Sequence, residues 1–173
     1  MKPIRVMFVL VMLSMCVFVP VANAQEIVNA QVVYSVWFDN SDPCEVYDIL
    51  SDFRNDSLWY APSENTLIQE GGQYRAGETW LHVSAGLEYI LTIERAEPCI
   101  KFLYDGDAGY INFDLLYHFD RTGSGTKLYI SGNFQGPGLT REFFTGYNAL
   151  AYNNLIALLG DTGRVEIGAV NIN

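Results

Sequence analysis

Apolar and polar residues alternate with a period of two through much of the chain. In residues 87–94 every odd position is apolar, and three of the four even positions are polar. Residues 111–120 repeat the pattern, with Ile, Phe, Leu, Tyr and Phe at the odd positions. Such alternation predicts β-strands that bury one face and expose the other.

Further strand-like runs are separated by turn signals. β-Branched and aromatic residues dominate residues 31–38, and similar runs occupy residues 76–86, 99–105 and 127–134. Strands that follow one another through short turns form an antiparallel meander. Its apolar face must be covered by a second layer.

Two segments repeat apolar residues at helical spacing instead. In the first, Asp42 and Glu45 have the spacing of a capping box and Pro43 suits the first helical position, so a helix of about three turns is predicted. The second follows the Gly-Pro-Gly break at 136–138 and ends at Gly160, and its length of roughly 30 Å is enough to cross a sheet. Its predicted apolar side consists of Phe143, Phe144, Tyr147, Leu150, Ala151, Asn154, Leu155, Leu158 and Leu159.

The start of the chain has the composition of a secretory signal peptide. A basic beginning is followed by an apolar run, and Ala22 and Ala24 fit the cleavage pattern, so we assign residues 1–24 to the signal. Lipidation at Cys16 is a weaker interpretation, because the preceding residue is not small. An uncleaved anchor is also weaker, because about 14 apolar residues fall short of the ~20 that a spanning helix needs.

Signal cleavage leaves one domain, residues 25–160, and a tail, residues 161–173, that is either a further strand or a loose end. The expected location is periplasmic or extracellular, with no stable membrane span after cleavage. Losing Lys2 and Arg5 leaves 8 basic residues against 20 acidic ones, a net charge of −12. This charge argues against nucleic acid and anionic membrane surfaces as partners. The favoured explanation of the charge is that it keeps the protein soluble outside the cytoplasm.

Cys44 and Cys99 are the cysteines that remain after signal cleavage. Export permits a disulfide between them, and the alternative is two separate core thiols. We predict no metal and no cofactor, since the histidines and cysteines lack metal-site spacing. The Asp-Gly-Asp-Ala-Gly run at 105–109 resembles the start of a calcium loop but lacks the later acidic ligands, so a hairpin turn explains it better.

The stretch Ser-Asp-Phe-Arg-Asn-Asp-Ser-Leu-Trp-Tyr-Ala-Pro at 51–62 combines acidic and aromatic residues just after the first predicted helix. We interpret it as the corner where that helix meets the sheet. Its acids, Asp52 and Asp56, are expected to act as capping groups. Trp59 either packs the helix end against the sheet or borders a pocket.

The order of these elements resembles the START-like or SRPBCC superfamily, the helix-grip fold, and within it the polyketide cyclase/dehydrase and lipid-transport branch. The matching segments are residues 42–59, 76–80, 93–104, 117–130 and the final helix. The resemblance implies an α+β fold in which a curved antiparallel sheet of about seven strands wraps around a long C-terminal helix. It also implies an apolar cavity between them for a hydrophobic ligand, with no catalytic motif shared across the superfamily.

Aromatic residues are frequent on the faces predicted to point inward, and tyrosine hydroxyls need partners when buried. This favours a mostly apolar pocket with a few polar anchors, although a filled core is an alternative. The candidate ligand-binding residues are Trp59, Tyr60, Trp80, Tyr89, Leu91, Tyr104, Phe113, Leu115, Tyr117, Phe143, Tyr147, Leu150 and Asn154.

His82 is the weak candidate for a catalytic residue, since an imidazole titrates near neutrality. The favoured interpretation is that His82 lies on the surface or simply lines the pocket. His118 is expected to be exposed, because it shares the polar face of its strand with Asp114 and Asp120.

Three functions are consistent with these patterns. The leading hypothesis is an exported binder or carrier of a small hydrophobic or aromatic molecule that resembles a lipid or a polyketide. The second is a cyclase, dehydratase or hydrolase that uses His82 or a pocket tyrosine as acid or base. The third is a scaffold with a filled core that acts through its acidic surface on an envelope partner. The oligomeric state and the ligand are left open.

Overall fold

Eight antiparallel strands form one curved, open sheet in the computed structural model, which describes residues 26–60, 62–84 and 86–173, except the side chains of residues 147 and 148. The predicted signal peptide therefore lies outside the described residues. The strands are β1 Val28–Phe38, β2 Ser63–Gln69, β3 Thr79–Ser84, β4 Leu87–Glu97, β5 Lys101–Asp107, β6 Asn112–Thr122, β7 Gly125–Gly136 and β8 Gly163–Ile172.

The strand order is β2-β3-β4-β5-β6-β7-β1-β8. The last strand of the meander, β7, therefore pairs with the first strand of the chain, and β2 and β8 form the two edges of the open sheet. β1 lies between β7 and β8, and Val36 pairs with Leu128 on one side and Val165 on the other. The tail after Gly160 is thus the eighth strand and forms one edge of the sheet. The sheet has one strand more than the seven expected.

The helical elements cover the inner face of the sheet. They are α1 Pro43–Ser51, a 3-10 turn Phe53–Asn55, α2 Asp56–Trp59, a 3-10 turn Gln73–Arg75, a π-helical segment Phe143–Asn148 and α3 Ala149–Leu158. The predicted cap of α1 is confirmed, because the Asp42 carboxylate accepts hydrogen bonds from the backbone N–H groups of Cys44 (2.8 Å) and Glu45 (3.2 Å). None of the helices in the described ranges has the length and apolar character that a bilayer crossing requires.

Alternate residues of the central strands build the core. Val36, Leu128 and Ile130 on the inner face of the sheet are fully buried, as are Phe144 and Leu155 from the C-terminal helical segments. Full burial of such a side chain stabilises the fold by about 1.5–3 kcal/mol. The face assignments predicted for β4 and β6 agree with this inner face, since Leu91, Ile93, Leu115, Tyr117 and Phe119 are all buried.

Two links hold the helical layer to the ends of the strands. Cys44 at the start of α1 is bonded to Cys99 in the turn between β4 and β5, so of the two alternatives left open for these cysteines the structure has the disulfide. The Asp161 carboxylate, at the start of the tail, accepts hydrogen bonds from the Ser41 backbone N–H (2.7 Å), the Ser41 hydroxyl (2.6 Å) and the Asn40 backbone N–H (3.2 Å). Burial acts against ionisation, but these hydrogen bonds from Ser41 and Asn40 lower the pKa of Asp161 to about 2.

Candidate ligand-binding cavity

A cavity of about 380 Å³ lies between the inner face of the sheet and the helical layer. Its size is within the range of small-molecule sites, and its walls are mostly aromatic and aliphatic. The core is therefore not filled, which removes the structural basis of the scaffold hypothesis. The residues predicted to bind ligand that line this cavity are Trp59, Tyr60, Tyr89, Leu91, Tyr104, Phe113, Leu115, Tyr117 and Phe143.

Stacked rings lie along β5 and β6, where Tyr104 and Tyr117 line the cavity and Phe102 packs against them. The rings of Phe102 and Tyr117 are parallel with centroids 4.7 Å apart, and Tyr104 lies beside them. The position of a neighbouring ring, Phe113, requires a glycine, because a Cβ atom on Gly106 would overlap that ring. Because Gly106 has no side chain, the tip of the Phe113 ring can occupy this space in the wall.

A polar cluster of Asp56, Asn65 and His82 interrupts the apolar lining. Strand pairing places Asn65 of β2 directly opposite His82 of β3, and the next pairing places Tyr89 of β4 on the other side of His82. The Nδ1 atom of His82 lies 2.7 Å from Oδ1 of Asn65 and 3.6 Å from Oδ2 of Asp56. Asp56 is only 7% exposed, and burial raises the pKa of its carboxyl group.

A second polar group consists of tyrosine hydroxyls. The hydroxyl of Tyr117 lies 3.1 Å from that of Tyr152 and 3.5 Å from that of Tyr104. Burial raises the pKa of all three phenols well above the usual value, so they stay neutral at physiological pH. The group can therefore donate a hydrogen bond to a ligand or accept one from it.

Four predicted ligand-binding residues have a different outcome. Trp80 is buried beside the cavity, where its ring packs on Phe53 and its Nε1–H donates to Glu78 at 2.6 Å. Leu150 is 60% exposed, and Asn154 is exposed with its Nδ2 donating to the Trp59 carbonyl oxygen at 3.2 Å. The side chain of Tyr147 lies outside the described part of the chain.

The positions of Leu150 and Asn154 correct the predicted face of the C-terminal helix. Residues 143–148 are π-helical, and a π-helical turn holds more residues than an α-helical turn, so the faces of α3 are rotated relative to a continuous α-helix. The buried side of α3 therefore carries Tyr152 and Ile156 beside Ala151 and Leu155.

The chemistry near α2 also differs from the expectation. Asp52 acts as a capping group, because its carboxylate accepts a hydrogen bond from the Arg54 backbone N–H. Asp56 does not remain a surface cap, since its side chain is buried beside His82. His82 is 5% exposed and lines the cavity, which is one of its two predicted positions. His118 is half-exposed and its Nε2 lies 2.9 Å from Asp120.

Several lining residues were not predicted from the sequence, among them Tyr34, Asp56 and Tyr152. Tyr152 stacks on Trp59 with centroids 5.9 Å apart, so Trp59 both packs the corner and lines the cavity. Within the described residues, no group of three or more His, Cys, Asp or Glu side chains is arranged to hold a metal ion.

No protein-family model matches the chain, and no curated protein is significantly similar to it. Solved structures do share its fold. A START superfamily protein from Mycobacterium smegmatis superposes with a TM-score of 0.58 at 11% identity, covering 75% of this chain and 94% of that one. CalU16 from Micromonospora echinospora gives 0.52 at 14% identity and covers 75% of both chains. A protein from Rhizobium leguminosarum gives 0.59 at 16% identity, covering 80% of this chain and 99% of that one.

These similarities show the fold class and not a function. The chain has the START-like, SRPBCC-type helix-grip fold that the resemblance of its sequence segments predicted. Its function is therefore argued from the cavity itself.

Proposed function

We propose that this protein is an exported binder or carrier of a small hydrophobic or aromatic molecule. The observation that carries the proposal is the cavity of about 380 Å³ with aromatic walls and two small polar groups. Apolar surface removed from water supplies the binding free energy, while a few polar groups orient the ligand. Export is part of the proposal, supported by the signal-like sequence at 1–24 and by the Cys44–Cys99 disulfide.

Binding is tested with N-phenyl-1-naphthylamine, a neutral dye whose fluorescence rises in apolar surroundings. The purified protein is titrated with the dye, and native mass spectrometry after mild purification searches for a retained ligand. We expect saturable fluorescence that hydrophobic compounds displace. Absence of dye binding together with absence of a retained mass would overturn the proposal.

Two neighbouring residues of β4 provide a matched pair of variants. Leu91 lines the cavity and is 5% exposed, whereas Ile90 points to the opposite face and is 41% exposed. Leu91→Trp should fill the cavity and weaken dye binding by about tenfold or more, a free-energy change of about 1.4 kcal/mol. Ile90→Trp adds the same ring outside and should leave dye binding unchanged.

A second candidate function is an enzyme that uses His82 as acid or base. It is favoured by the position of His82 in the cavity wall, with its ring centroid 5.9 Å from that of Tyr89. General acid or base groups of this kind contribute about 10²- to 10⁴-fold to a rate. If this function is correct, His82→Gln will lose turnover of a cyclisation, dehydration or hydrolysis substrate while it retains dye binding. Equal turnover in both proteins would exclude the role.

A further inference from the structure

The cavity has an uneven distribution of charge. Its described lining includes the carboxylate of Asp56 and the imidazole of His82, and it includes no lysine or arginine. A ligand carboxylate or phosphate would therefore enter beside a buried acid without a guanidinium or ammonium group to pair with. Placing an anion in such surroundings is costly. A cation would instead offset the cost of burying Asp56.

The carboxylate of Asp56 has room for another donor. Nδ1 of His82 lies 3.6 Å from Oδ2 of Asp56, which is longer than a hydrogen bond. The same Nδ1 is only 2.7 Å from Asn65, so its hydrogen is directed to the amide. A carboxylate offers about four acceptor positions, and an N–H group of a ligand would satisfy one of them.

Aromatic side chains line the same cavity as Asp56. Asp56, Trp59 and Tyr60 lie at i, i+3 and i+4, which places them on one side of the α2 turn. All three line the cavity, together with Tyr89 across His82. The rings of Trp59 and Tyr60 have centroids 5.6 Å apart at a steep angle of 61°. Aromatic rings such as these attract a cation through their negative faces.

We propose that the ligand of this cavity carries a protonated amine on an aromatic or aliphatic body. The ammonium group binds the Asp56 carboxylate and contacts the rings of Trp59 and Tyr60, while the body of the ligand occupies the apolar remainder beneath the sheet. This inference rests on the proposed binding function and adds the chemical class of the ligand.

The test is displacement of bound N-phenyl-1-naphthylamine by three compounds with the same ring and different charges. They are 2-(1-naphthyl)ethylamine, which is a cation at neutral pH, 2-(1-naphthyl)ethanol, which is neutral, and the anion of 1-naphthylacetic acid. In the unmodified protein we expect the amine to displace the dye at a concentration about tenfold below that of the alcohol, and the acetate to be weakest. This ranking is measured without any variant.

Asp56→Asn should abolish the advantage of the amine while it leaves displacement by the alcohol unchanged. The control is Asp105→Asn, which removes one negative charge from an exposed position of β5 and should preserve the ranking. Alcohol or acetate binding as tightly as the amine in the unmodified protein would overturn the inference, and so would an amine preference that survives in Asp56→Asn. These outcomes all presuppose dye binding. Failure of the dye to bind would instead overturn the proposed binding function on which the inference rests.

Discussion

Asn65 determines which ring nitrogen of His82 carries hydrogen. The Nδ2 group of Asn65 donates to the carbonyl oxygen of Phe53, which orients the amide so that Oδ1 faces the imidazole. Because Oδ1 can only accept, Nδ1 of His82, 2.7 Å away, must be the donor. Nε2 is then the nitrogen whose lone pair is available to a ligand when the ring is neutral. Asn65 on the edge strand β2 thus determines the tautomer of His82 on β3.

The first prediction concerns this tautomer. In ¹⁵N-histidine-labelled protein at a pH where the ring is neutral, long-range ¹H–¹⁵N correlation spectra should show His82 with hydrogen on Nδ1. Asn65→Ala removes the acceptor at 2.7 Å and leaves Asp56 at 3.6 Å, beyond hydrogen-bond distance, so the population should shift toward the Nε2–H form, which is the more common one in solution. His118, the other histidine of the chain, serves as the internal reference and should not change. An Nε2–H tautomer in the unmodified protein would contradict the assignment.

The second prediction concerns the tyrosine hydroxyls. Tyr117→Phe removes the hydroxyl that lies 3.1 Å from Tyr152 and should lower the free energy of unfolding by roughly 1 kcal/mol, the net value of a buried hydrogen bond. Urea unfolding measures the difference. Tyr129→Phe, on the opposite face of the sheet at 37% exposure, is the control and should have a much smaller effect. Equal losses in the two variants would show that the buried hydroxyl contributes nothing specific.

The third prediction concerns Asp161 and pH. Since its pKa falls from 3.8 to about 2 on folding, its contribution to stability is complete above about pH 4 and disappears as the pH drops toward 2. Asp161→Asn should therefore reduce stability by roughly 1–3 kcal/mol at neutral pH, and the two proteins should converge near pH 2. Urea midpoints across this pH range provide the measurement. Asp48→Asn, which changes an exposed carboxylate of α1, should not reproduce the pattern; a pH-independent gap for Asp161→Asn would disprove the linkage.

The fourth prediction concerns the packing of Phe113 on Gly106. Gly106→Ala introduces a methyl group where the ring lies, and overpacking of this kind costs about 1–3 kcal/mol. The double variant Gly106→Ala with Phe113→Leu should recover part of that loss, because the smaller side chain can yield. Chemical unfolding of both variants and of Phe113→Leu alone gives the coupling free energy. Strictly additive effects would mean that the cost of the added methyl group does not arise from the Phe113 ring.

Strand faces were predictable because burial of one face leaves a direct record in the sequence. Tyr117 and Phe119 point inward as the alternation on β6 indicated. The tail shows no clear alternation of apolar and polar residues. β8 is an edge strand with mostly exposed residues, and Val170 is its buried position, so its pattern fits a strand no better than a loose end.

The cavity was predicted less well where its chemistry depends on tertiary structure. Asp56 and Asn65 belong to α2 and β2, and their separate positions in the chain give no sign that both approach His82. Tyr152 was missed because α3 carries apolar residues on every side, so its sequence does not show which face points inward. The inward face depends on the π-helical turn that precedes α3. Leu150 and Asn154 were assigned inward for the same reason.

The placement of β1 between β7 and β8 has a kinetic consequence. Of the eight described strands β1 is synthesised first, and both of the strands that pair with it, β7 and β8, come later in the chain, from Gly125 onward. Contacts so distant in sequence slow folding, because the loop entropy is lost before the pairing compensates for it. Until then the apolar side chains of β1, from Ala30 to Phe38, remain without the strands that bury them. A nascent chain of this topology therefore keeps apolar surface exposed until β8 has been synthesised, which favours aggregation during that interval.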